Sequence, residues 1–103
     1  MTGTNERRTV PRIAFFTEAL LEGLDVSRTD VRITEISPGG CFVDTRSVLP
    51  AGATTYLVFT LGDRRLRVKA QVRYAIPSIG MGLAFIELSD GDRQLLAEFV
   101  GVR

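Results

Sequence analysis

The stretch RLRVKAQVRY, Arg65–Tyr74, narrows most what this chain can fold into. Leu66, Val68, Ala70 and Val72 alternate with Arg65, Arg67, Lys69, Gln71 and Arg73. Successive side chains of a strand point to opposite faces, so this pattern specifies a strand with one apolar and one charged face. A helix would spread both sets around its circumference and bury arginine. The apolar face needs a cover, and neighbouring segments offer more of the same kind. DVRITEI (Asp30–Ile36) alternates Val31 and Ile33 with Arg32 and Thr34, and TTYLVFTL (Thr54–Leu61) is rich in β-branched and aromatic residues. GCFVDT (Gly40–Thr45) and MGLAFIEL (Met81–Leu88) are further short apolar runs. Pro38-Gly39-Gly40, Gly62-Asp63 and the segment AIPSIG punctuate these runs as turns, which makes antiparallel hairpins of them.

The chain ends differently. In SDGDRQLLAEFVGVR, Ser89 is placed to cap a helix, with Asp92 three residues on. Leu95, Leu96, Phe99 and Val100 follow at helical spacing. Near the other end, IAFFTEALLEGLDV (Ile13–Val26) is ambiguous: TEALLEG favours helix, with Gly23 as a stop, while IAFF favours strand. The fold expected is mainly β, a small antiparallel barrel of about six strands with a C-terminal α-helix. It forms one domain over residues 7–103, after a flexible lead-in at residues 1–6.

Composition restricts function. With 13 basic and 12 acidic residues, the net charge of +1 produces no global field toward nucleic acid or anionic lipid. Histidine is absent, which removes the commonest general base, metal ligand and pH switch. The single cysteine, Cys41, permits neither an internal disulfide nor a cysteine zinc cluster, and reads as a small buried hydrophobe. No apolar run approaches the roughly 20 residues that span a bilayer, and MTGTNERRTV has no signal-peptide core. The expectation is a cytoplasmic protein without membrane insertion, without cofactor and not an enzyme.

Local charge is another matter. Arg7, Arg8 and Arg12 crowd six residues stiffened by Pro11, and Arg8 and Arg12 form R-x-x-x-R. Glu35, Ser37 and Gly40 form E-x-S-x-x-G further on. Together, and on this strand pattern, the two motifs resemble the PilZ domain, a bacterial receptor module for cyclic di-GMP with the pattern R-x-x-x-R then [D/N]-x-S-x-x-G. The resemblance extends through the strand GCFVDT and the late MGLAFIELS to the terminal helix. It implies a cyclic di-GMP receptor that signals to a partner protein by ordering its arginine segment over the ligand. The residues implied in binding are Arg7, Arg8, Arg12, Glu35, Ser37, Gly39 and Gly40. Guanidinium groups suit phosphates and guanine faces, and glycine lets backbone approach a flat base. Glu35 departs from the family pattern. It keeps a carboxylate, one methylene longer, and brings negative charge beside a dianionic ligand.

Two other readings stand beside this one. A degenerate relative could serve as an interaction module without the ligand. The row Arg65, Arg67, Lys69 and Arg73 could track a nucleic-acid backbone, although it carries no stacking aromatic except Tyr74 at its end. A solvated sheet face explains that row more simply. The six phenylalanines read as core, and Ile76, Ile79 and Met81 around Pro77 read as a covered hairpin or an exposed apolar tip.

Overall fold

A computed structural model describes residues 12–23 and 28–101. Its elements are β1 (Ile13–Glu22), β2 (Arg28–Ser37), β3 (Gly40–Asp44), β4 (Thr54–Leu61), β5 (Arg64–Ile76), β6 (Gly80–Glu87) and α1 (Asp90–Val100). The six strands close into a barrel in the order β1-β2-β3-β6-β5-β4, and every neighbouring pair is antiparallel. The alternation in β5 works as its residue pattern requires: Leu66, Val68, Ala70 and Val72 are buried, and Arg65, Arg67 and Arg73 are exposed. Ile33, Ile36, Val43, Leu57, Phe59 and Met81 fill the interior from the other strands.

The helix begins and ends on local chemistry. Ser89 Oγ accepts a hydrogen bond from the Asp92 amide at 3.1 Å, and Gly101 ends α1 in the left-handed region at φ 83°. Leu96 and Val100 are buried against the barrel, while the half-exposed Phe99 meets Phe15 edge-on at 4.9 Å.

The ambiguous segment resolves as strand over Ile13–Glu22. Helix propensity in TEALLEG loses because β1 is the strand that joins β2 to β4 and closes the barrel, burying Ala19 and Leu21. Residues 24–27 and 1–11 lie outside the described part, and with them the lead-in at residues 1–6. Three phenylalanines expected in the core are not buried there, and Phe99 on α1 is 37% exposed. Phe16 points outward from β1 and is 71% exposed, and Phe42 lies on the outer surface rather than in the core. At the β5–β6 hairpin the apolar set divides: Met81 is fully buried, whereas Ile76 and Ile79 are exposed.

Two interruptions of register decide where the outer surface is built. Strict alternation from Val31 and Ile33 would turn Glu35 into the barrel. A bulge between Ile33 and Glu35 in the pairing of β2 with β3 turns it out and returns Ile36 to the core. A second shift between Val72 and Tyr74, in the pairing of β5 with β6, turns Tyr74 out in the same way.

Candidate functional site

The bulges bring together residues from five strands. Ala14 pairs with Glu35, Glu35 with Phe42, Phe42 with Gly82, and Gly82 with Tyr74, forming one cross-strand row over the outside of the barrel. The adjacent row runs Ser37, Gly40, Ala84 and Gln71. At its centre, β6 turns only Gly80, Gly82 and Ala84 outward, because Met81 and Leu83 point into the core. From Gly80 to Ala84, the outward side of β6 therefore carries no side chain larger than a methyl. The Phe42 ring lies against Gly80 and the Tyr74 ring against Gly82, where any side chain would collide with them. Phe42 and Tyr74 themselves stand 6.2 Å apart between ring centres. The result is a largely apolar floor in which the two rings cover the glycines of β6.

The other wall is polar. Ser37 Oγ accepts from the Gly39 amide and donates to the Gly40 carbonyl, both at 3.3 Å, which holds the turn between β2 and β3. A Cβ on Gly40 would run into the Leu83 carbonyl, so β3 and β6 approach more closely there than any side chain permits. Gly39, by contrast, faces open space. Arg12 Nη1 donates to Glu35 Oε1 at 3.2 Å, across 23 positions of sequence. Together these groups line a depression of about 210 Å³ that also takes in Arg73 and Tyr74.

Of the residues singled out in the sequence, Arg12, Glu35, Ser37, Gly39 and Gly40 thus surround one depression. Arg7 and Arg8 lie outside the described residues. Phe42, Arg73, Tyr74 and Gly82 were missed as site residues. Hydrophobicity places Phe42 in the core, and the strand alternation places Arg73 in the solvated row. The signal available was the pair of glycines in GMGLA, which strips one strand face, and an aromatic closing a charged strand.

Two other members of the basic row, Arg67 and Lys69, are engaged elsewhere. Arg67 donates to Glu22 at 2.8 Å and its guanidinium lies 3.9 Å above the Tyr56 ring, while Lys69 pairs with Glu87 at 3.7 Å. The Arg67 hydrogen bond holds the Glu22 carboxyl below its usual range. Such internal neutralisation argues against a phosphate-tracking face. Among the described residues, no group of three or more histidine, cysteine or acidic side chains could hold a metal, and no helix is long and apolar enough to cross a membrane.

Cys41 sits beneath the floor, facing the core. Burial pushes its thiol up to about 12. The thiolate is the reactive form, so the folded protein should resist iodoacetamide at pH 8 and react once unfolded in denaturant. Rapid labelling of the folded protein, read by mass spectrometry, would contradict this placement.

Comparison with known proteins adds an independent line. The family model for the PilZ domain matches residues 6–101. None of the curated proteins matches the chain in sequence. Among solved structures, the Bacillus subtilis inhibitor of motility MotI superposes with a TM-score of 0.79 at 22% identity, over 91% of this chain and 49% of that one. Escherichia coli YcgR in complex with c-di-GMP gives 0.78 at 18% identity, over 91% of this chain and 44% of that one. The separate PilZ domain of YcgR with c-di-GMP gives 0.75 at 16% identity, over 91% of this chain and 88% of that one. The chain therefore spans about half the length of the first two proteins, and the likeness to all three is one of fold.

Proposed function

Because the chain belongs to the PilZ domain family, we propose that it is a receptor for cyclic di-GMP, held in the depression between Arg12 and Tyr74. The observation that carries this reading is the convergence of Arg12, Glu35, Ser37 and Gly40 on one depression beside the Phe42 and Tyr74 rings. Each part has a matching role. Arg12, with Arg8 from the preceding segment, takes phosphate oxygens through charge-assisted hydrogen bonds. A guanine lies against the Tyr74 ring that covers Gly82, and Ser37 meets its polar edge. Arg73 adds a further cation on the Tyr74 side.

No bond of the ligand is made or broken. The signal is the change of surface when the segment bearing Arg7 and Arg8 folds over the bound ligand, and a partner protein in the cytoplasm reads it. Calorimetric titration of the purified protein with cyclic di-GMP, with GTP as control, tests the reading. Saturable heat with the cyclic dinucleotide and none with GTP is the expected result. Absence of heat at high ligand concentration would leave an interaction module without this ligand. Tyr74→Ala should weaken binding about three- to tenfold, the value of one aromatic contact of about 0.5–1.5 kcal/mol. An unchanged affinity would remove Tyr74 from the ligand site.

A further inference from the structure

Within the proposed site, one contact opposes the ligand. We propose that Glu35 is a built-in competitor for Arg12: it holds the guanidinium in the ligand-free protein, and cyclic di-GMP binds by displacing it. The inference rests on the receptor reading above, and it concerns a regulation of that site.

The geometry sets up the competition. The bulge at Ile33/Glu35 turns Glu35 out of the barrel, and its cross-strand partner Ala14 stands two residues from Arg12. The carboxylate therefore faces the arginine across the β1–β2 pair. They meet through one nitrogen and one oxygen at 3.2 Å, with the two side chains 49% and 46% exposed. This is not the two-bond fork by which arginine clamps a carboxylate most firmly. A half-exposed, single-bond pair is weak enough for a phosphate to displace. It is also close enough that the displacement is felt. The phosphate gains a guanidinium that must first leave a carboxylate, and the released carboxylate then lies beside an anion. Glu35 thus raises the ligand concentration at which the receptor fills.

An exposed pair of this kind is worth about a two- to fivefold change in affinity. Glu35→Gln keeps the length and the acceptor oxygen but removes the charge. Calorimetry at one ionic strength on the native protein, Glu35→Gln, Arg12→Ala and the double variant should show Glu35→Gln binding cyclic di-GMP about two- to fivefold more tightly. In the Arg12→Ala background the same change should alter affinity by less than about twofold, because the competed group is gone. In the ligand-free protein, the Arg12 side-chain Nε–H resonance should shift on Glu35→Gln.

If Glu35→Gln leaves binding unchanged, Glu35 is not a competitor, and if it weakens binding, Glu35 is a ligand contact; in both cases the receptor reading stands. Equal tightening in both backgrounds would assign the effect to plain charge repulsion and overturn the displacement. An Arg12 resonance indifferent to Glu35→Gln would overturn it as well. Binding by Glu35→Gln but not by the native protein would support the competitor and refute the receptor reading for the native chain. Binding by none of the four proteins would overturn both.

Discussion

Gly40→Ala should lower the unfolding free energy by about 2–3 kcal/mol, the usual cost of forcing a carbon into closed packing. For a domain of this size, that corresponds to a fall in Tm of roughly 10–20 °C. The reason is the approach of β3 to β6. The new methyl would be driven into the Leu83 carbonyl, with the Ala84 Cα at 3.2 Å, and both are backbone atoms of a paired strand. A side chain could swing away, but a strand in the middle of a closed barrel cannot move without breaking its ladder on both sides. Gly39→Ala is the control. Nothing lies within 4 Å of its Cβ position and its φ is not positive, so its Tm should fall little or rise slightly. Thermal unfolding followed by circular dichroism compares the two. Equal losses at both positions would mean that turn conformation, not strand approach, requires these glycines.

Arg12→Ala should weaken cyclic di-GMP binding about ten- to a hundredfold. This is the loss of a charge-assisted interaction worth about 1.5–3 kcal/mol. Arg12 lines the depression and is already directed at it by its contact with Glu35. Because Glu35 competes for the same group, the native protein should fall toward the smaller end of that range, and the Glu35→Gln variant toward the larger. Arg65→Ala removes the same charge from β5 at a position outside the depression and should change affinity by less than about twofold. Titration of the three proteins at one salt concentration decides it. Similar losses from both substitutions would point to a general electrostatic attraction rather than a site at Arg12.

How much could be read in advance differed from element to element. β5 was legible because its alternation runs unbroken from Arg65 to Val72, and a face of four aliphatic residues against a face of charges admits only one backbone period. The cap of α1 was legible for a similar reason, since Ser89 and Asp92 act within a single turn. β1 was not, because the helix formers in TEALLEG carry no information about the gap between β2 and β4 that they must fill. Phe16 and Phe42 were assigned to the core on hydrophobicity alone, and hydrophobicity is a poor guide to which face a short strand turns inward.

The candidate site divides along the same line. Arg12, Glu35, Ser37, Gly39 and Gly40 stood out as residue types at a spacing, which is a local property of the chain. That Arg73, Tyr74 and the glycine-bearing face of β6 belong beside them depends on pairings between strands far apart in sequence. The two bulges show why. Each shifts register by comparing one strand with its neighbour, and each reverses the face that simple alternation assigns, at Glu35 and at Tyr74. The residues alone determined a β-rich chain with a capped terminal helix, because strand period, turn chemistry and helix capping act over a few neighbouring positions. Which side chains share a surface was decided only when the barrel closed. Closure sets the register of all six strands together, and no short window of sequence contains that constraint.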